Sequence, residues 1–290
     1  MVEDNISYRE LDQLILNVQR RVEAFLQGRH EGLKTGTGIT FSHYRQYMPG
    51  DDLRMLDWKM YAKTGKYYVR MSEVETNLRI RLIVDCSASL GHQFNGTTKW
   101  EYLSVFIAGL IYVSHKNGDR LNLQWFGGTD EQKLRKLDIS HWQHLASIVL
   151  STKPKGSQKD LESEINWKDF NPDIEEEILI VTDGYDDRIK DFIKNHSTSK
   201  KHYTLVHTLA PNELDGLFER DSLRDLESGT IVTTSVNNFQ SDYLKEFNEF
   251  IREWKDFCHS YKVRYYQLKI DNDPIKSLIQ FLNGNPEYED

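Results

Sequence analysis

The chain has 290 residues, 28% of them charged and 38% hydrophobic, and a net charge of −8. That composition suits a folded protein with a sizeable core, longer than one simple domain needs, and leaves no block expected to stay disordered. The acidic balance argues against general affinity for nucleic acid or for an anionic membrane surface. The only cysteines, Cys86 and Cys258, offer no disulfide framework and fit a reducing compartment. The longest apolar run, Val105 to Val113, is too short to span a bilayer. Met1-Val2-Glu3-Asp4 is acidic where a secretory leader would be basic, then apolar. The expectation is a cytoplasmic protein with no integral membrane segment.

In chain order, Ser7-x-x-Glu10 reads as a capping box. It leads into Leu11, Leu14, Ile15, Val18, Val22, Phe25 and Leu26 at helical spacing, with Gly28 as the stop. The apolar stripe is expected to pack on its own domain. Gly32 to Val69 is rich in glycine and tyrosine with no sustained helical period, and reads as short strands and turns, Pro49-Gly50 the clearest. From residue 78 strands and helices alternate. Strands are expected over Leu78–Val84, Arg120–Phe126, Glu177–Val181, Tyr203–Leu209, Thr230–Thr234 and Val263–Leu268, with an edge strand over Gln132–Leu137. Helices are expected over Lys99–Lys116, His141–Leu150, Lys159–Ile165, Asp186–Asn195, Gln240–His259 and Pro274–Leu282. This alternation predicts an α/β fold, a doubly wound, mostly parallel, Rossmann-like sheet. The expected division is residues 1–77 (helix plus strand-and-turn extension), 78–284 (sheet domain) and 285–290 (a loose acidic tail).

Leu82 to Ser89 reads L-I-V-D-C-S-A-S, a buried strand ending in Asp85-x-Ser87-x-Ser89. One carboxylate and two hydroxyls at a strand tip are hard oxygen donors of low total charge, suited to Mg²⁺ or Mn²⁺. Ligands of open parallel sheets bind beyond the carboxyl ends of the strands, where the strand order reverses. Asp183, in L-I-V-T-D-G-Y-D-D, ends another strand and is expected to meet Asp85 if the two strands are neighbours. Helix capping by Asp and Ser is the simpler account of one such end, but not of two. Cys86 should face away, into the core.

Asp85-x-Ser87-x-Ser89 with Thr182-Asp183-Gly184 resembles the metal-ion-dependent adhesion site of von Willebrand factor A domains. A longer stretch is similar to the signature of the bacterial domain-of-unknown-function family 58. Its elements are Gly36-x-Gly38-x-x-Phe41, Arg45-x-Tyr47-x-Pro49-Gly50-Asp51-Asp52-x-Arg54-x-x-Asp57-Trp58, and Ala62-Lys63. The resemblance implies a von Willebrand A-like domain with an N-terminal extension. The implied role is that of a non-enzymatic adaptor or co-chaperone, working with a MoxR-type AAA+ ATPase and gripping an acidic partner residue through Mg²⁺. It also implies a threonine ligand from the loop between the aspartate strands. Here that loop reads S-T-K-P-K-G-S-Q-K-D-L, with Gln158 or Lys159 at the expected place and Ser157 or Thr152 as substitutes.

Competing chemistries are weaker. Strand-Asp-x-x-x-Ser is similar to haloacid-dehalogenase phosphatases, whose acid stands two residues after the nucleophile; here that residue is Ser87, which cannot protonate a leaving group. Gly36-x-Gly38 lacks a following helix and a Lys-Ser/Thr, so it predicts no nucleotide site. A metal-dependent phosphohydrolase and a structural scaffold with a vestigial metal site remain the alternatives. In the extension, Arg45, Tyr47, Asp51, Asp52, Arg54, Asp57 and Trp58 are expected to form a partner surface or a structural clasp, the two arginines and Asp57 closing over Trp58. Phe239, Tyr243, Phe247, Phe250, Ile251 and Trp254 are expected in the core.

Overall fold

The computed structural model describes residues 8–29, 40–47, 56–73, 78–127, 141–154, 171–216, 222–224, 231–233 and 239–283. The chain divides into two compact units, residues 23–77 and the remainder. The boundary after residue 77 is where the sequence placed it, but residues up to Val22 belong with the sheet domain rather than with the extension. The reason is visible in the first helix, α1 (Tyr8–Arg29), where Ile15, Val18 and Val22 are buried and Arg21 pairs with Asp273. This helix runs to Arg29, one residue past the expected stop at Gly28.

In the smaller unit, β1 (Thr40–Gln46), α2 (Trp58–Thr64) and β2 (Tyr68–Glu73) follow. β1 and β2 pair antiparallel, with an irregularity between Phe41 and His43. Helix α2 lies where only strands and turns were expected. Its signals are local. Asp57 caps its start, accepting from the backbone of Lys59 at 2.8 Å and Met60 at 3.0 Å. Gly65 ends it in the left-handed region at φ 67°. A helix of 7 residues is too short for a periodic stripe to reveal. The expected clasp over Trp58 falls largely outside the described residues. Asp57 is buried as the cap, while Trp58 is 63% exposed. Tyr47 donates its backbone N–H to Tyr67 at 3.0 Å. Asp51, Asp52 and Arg54 and the side chain of Arg45 lie outside the described residues.

The sheet domain continues with β3 (Arg79–Asp85), β4 (Gln93–Phe94), β5 (Thr97–Thr98), α3 (Lys99–Lys116), β6 (Arg120–Phe126), α4 (Trp142–Ser151) and β7 (Glu176–Thr182). Then come α5 (Arg188–His196), β8 (Lys201–Leu209), α6 (Pro211–Asp215), β9 (Ser222–Arg224), β10 (Ile231–Thr233), α7 (Phe239–Ser260), β11 (Arg264–Lys269) and α8 (Pro274–Leu282). Five strands form one sheet in the order β11-β8-β7-β3-β6, every pair parallel. The chain goes from β3 out to β6, then back across to β7, so the order reverses between β3 and β7. The expected edge strand 132–137, the helix 159–165 and the tail 285–290 lie outside the described residues.

Side chains alternate between the two faces of the sheet. On one face Ile83, Ile178, Ile180 and Leu205 pack with Ile189, Phe192 and Ile193 of α5 and with Trp254 and Cys258 of α7. On the other, Trp100 of α3 meets Trp125 of β6, ring centroids 5.9 Å apart. Helix α3 is buried along almost its whole length, which explains why its apolar residues run without a polar face. Gly109 in its middle lets α8 approach so closely that a Cβ there would lie 2.5 Å from a Leu278 methyl. Phe247, Ile251 and Trp254 of α7 are buried as expected, Tyr243 and Phe250 only partly, and the side chain of Phe239 lies outside the described residues. Among the described residues no helix is long and apolar enough to cross a membrane.

Trp254 is wholly buried at the centre of one layer. Trp254→Ala should cost about 3–5 kcal/mol, read from chemical denaturation. A loss below about 1 kcal/mol would mean that this layer is not the core described.

Candidate metal centre at the carboxyl ends of β3 and β7

β3 and β7 pair in parallel from Ile80 opposite Glu177 to Val84 opposite Val181. The next residues along are Asp85 and Thr182, and Asp183 follows one position later, so both carboxylates arrive at the same edge, at the reversal of strand order. Both are almost fully buried, 2% and 1% exposed. Asp85, Ser87, Phe126, Gly127, Asp183, Tyr185 and Asp186 line one narrow crevice there.

Local chemistry holds each ligand candidate. Cys86 extends the ladder by donating its N–H to Phe126 at 2.8 Å, and its own side chain is buried away as expected. The Ser87 N–H donates to one Asp85 oxygen and the Thr182 hydroxyl to the other, each at 2.8 Å. Gly184 in turn donates its N–H to the Thr182 hydroxyl at 3.0 Å. A short 3₁₀ turn, Ala88–Gly91, then brings the Ser89 hydroxyl within 2.8 Å of that of Ser87. Gly127, at φ 69°, is needed for the close approach of β6, since a Cβ there would sit 3.1 Å from an Asp85 oxygen.

Asp183 is fixed through its backbone. The His207 Nε2 lies 2.9 Å from the Asp183 carbonyl and its Nδ1 2.8 Å from the Tyr265 hydroxyl. Burial pushes His207 down to about 3, so the ring is neutral. A carbonyl only accepts, so Nε2 carries the proton and Nδ1 accepts from Tyr265. Trp254 donates its indole N–H to the Gly184 carbonyl at 3.0 Å. Gly184, at φ 81°, leaves no room for a side chain, since a Cβ would lie 2.7 Å from the His207 Nε2.

Two residues that the sequence reading did not single out complete the surroundings. Lys99, the first residue of α3, is 0% exposed. Its ammonium donates to Glu213 at 2.7 Å and lies 3.8 Å from the Oδ2 of Asp183. The other Glu213 oxygen accepts the Ala210 N–H at 2.7 Å. A signal was present in the sequence: a lysine at the positive end of a helix opposes the helix dipole and needs a reason to be there. Tyr185, 45% exposed, lies with its ring 5.8 Å from the ammonium and stacks on Phe250.

The donor set fits a hard cation. Asp85, Ser87, Ser89 and Asp183 bring oxygen alone, and the buried Oδ2 of Asp183 has no hydrogen-bond partner among the described residues. Among the described residues no three carboxylate, imidazole or thiol groups form a ready cluster, so hydroxyls and water would have to complete the shell. Asp186 also lines the crevice, but Arg188 forks onto it at 2.8 and 2.7 Å. Of the substitutes for the missing threonine, Thr152 caps α4 and donates its hydroxyl to Ile148 at 2.7 Å. Ser157, Gln158 and Lys159 lie outside the described residues.

Burial first, then the charge of Asp183, pushes the Asp85 carboxyl up to about 7, against the bonds from Ser87 and Thr182 that favour its ionised form. Burial also raises Asp183, and the Lys99 ammonium and Ser89 hydroxyl pull it back. Both groups hold protons more tightly in the fold than in the unfolded chain. The stabilising contribution of Asp85 is therefore complete below about pH 4 and is lost as pH rises through about 7, and that of Asp183 is lost in the same direction. Without divalent cations the thermal midpoint should fall by roughly 5 °C between about pH 5 and pH 8. Asp85→Asn should flatten that fall; an equal fall in the variant would place its origin elsewhere.

Uncharacterized proteins of Mycobacterium bovis and Mycobacterium tuberculosis are each 29% identical to the chain over 145 residues, which is 50% of this chain and 46% of theirs. The chain thus spans about half the length of the curated relatives it matches. Among solved structures, an aerotolerance-related membrane protein of Bacteroides fragilis overlaps 71% of this chain and 98% of its own, with 17% identity and a TM-score of 0.42. The PilB minor pilin of Streptococcus sanguinis overlaps 76% of this chain and 65% of its own, with 10% identity and a TM-score of 0.39. Neither likeness is close enough to carry an argument. The model of one family, Protein of unknown function DUF58, matches residues 43–251, and the chain belongs to that family.

Proposed function

We propose that this protein is a non-enzymatic, protein-binding adaptor of von Willebrand A type, which holds Mg²⁺ or Mn²⁺ in the crevice and through it grips an acidic side chain of a partner. The observation that carries this reading is the buried, unbonded Oδ2 of Asp183, set beside Asp85 at the reversal of strand order. A bound divalent cation would offset the two carboxylates and leave a coordination position open to an outside carboxylate. The chain's own part is to hold Asp85 by its two hydrogen bonds, to present the Ser87 and Ser89 hydroxyls, and to keep the crevice narrow with Gly127. A MoxR-type AAA+ ATPase is the partner proposed, on the strength of the extension's resemblance, and a cytoplasmic location goes with it.

The phosphohydrolase alternative is less well supported. Ser87 stands where a general acid is needed, and Arg188 neutralises Asp186, the remaining carboxylate lining the crevice among the described residues.

Titration calorimetry with Mg²⁺ and Mn²⁺ tests the grip. Asp85→Ala should abolish binding and Ser87→Ala should weaken it about tenfold or more. Equal binding by all three proteins removes the grip model. An AAA+ ATPase should co-purify with the natural sequence and be lost with Asp85→Ala. Phosphate-ester turnover that vanishes in Asp85→Ala would replace the adaptor reading with the hydrolase.

A further inference from the structure

We infer that Lys99 sets how tightly the crevice holds a divalent cation, acting as a fixed internal countercharge that keeps the affinity low. The inference rests on the reading of the crevice as a cation site and goes beyond it, because Lys99 and Glu213 are not ligands in that reading. The Lys99 ammonium lies 3.8 Å from Asp183 Oδ2, the very atom left without a hydrogen bond. A positive charge at that distance, with both groups 1% exposed or less, competes with any cation that Asp183 would bind. It cannot swing away into water, because it is wholly buried and donates to Glu213 at 2.7 Å. Glu213 is itself anchored by the Ala210 N–H at 2.7 Å. Its carboxylate partly cancels the ammonium, so the two residues oppose each other in their effect on Asp183.

That opposition gives the test its signs. Glu213→Gln keeps an acceptor for the Ala210 N–H but leaves the ammonium uncompensated. Lys99→Met with Glu213→Gln removes both charges at similar side-chain length, without leaving a buried charge unpaired. Mg²⁺ and Mn²⁺ affinities are measured by calorimetry at about pH 8.5, above the raised Asp85 carboxyl. The double variant should bind about tenfold or more tightly than the natural sequence, and Glu213→Gln about tenfold more weakly. A merely structural pair would loosen the site and weaken binding in both. Asp85→Ala, added to each protein, must abolish the binding. If Asp85-dependent binding is present but the double variant is no tighter, this inference fails alone. If the double variant does not fold, Glu213→Gln that binds as tightly as the natural sequence overturns it. If no protein shows Asp85-dependent binding, the cation reading fails and takes this inference with it.

Discussion

The parallel pairing of β3 with β7 is the constraint from which the rest of the site follows. Its register ends both strands together, so two carboxylates meet in a place that water hardly reaches. Two buried like charges repel, and burial alone already disfavours the ionised forms. Every neighbouring device bears on that problem. Thr182 and the Ser87 N–H satisfy Asp85, Lys99 faces Asp183, and Glu213 stops Lys99 from being an isolated buried cation. The repulsion is reduced but not cancelled, which is what makes the crevice a candidate for an added positive charge.

The opposite end of the same strands shows what a closed version of such a cluster looks like. Glu176, at the start of β7, receives Arg81 from β3 at 3.1 Å and Lys201 from β8 at 2.9 Å. There one buried anion meets two cations, and the bonds tie three adjacent strands together. At the carboxyl end the balance is reversed: the Lys99 ammonium meets two carboxylates, Asp183 and Glu213, and Asp85 adds a third beside Asp183. The contrast separates a cluster that holds strands in register from one whose charge is left incomplete.

The fold was legible because its signals are long. Apolar runs at Leu82–Val84 and Ile178–Val181 announce strands buried on both faces, and their alternation with helices leaves few topologies. Asp85, Ser87, Ser89 and Asp183 were legible because each lies at or just beyond a strand end, where parallel sheets bind ligands. What escaped was either short or decided by distant packing. Helix α2 offered only a cap and a glycine. Asp57, expected in a clasp over Trp58, serves as the cap of that helix, and Trp58 is exposed. Lys99 and Glu213 are 114 positions apart, and no spacing rule joins them.

The peptide at Asp183–Gly184 is held from both neighbouring elements, by His207 of β8 on one carbonyl and Trp254 of α7 on the next. Neither carbonyl can shift without breaking a buried bond or dragging a ring that packs in the core. Asp183 is thus a rigid post rather than a jaw. Whatever docks at this crevice must adapt to the protein, because on the β7 side the protein has little freedom to adapt to it.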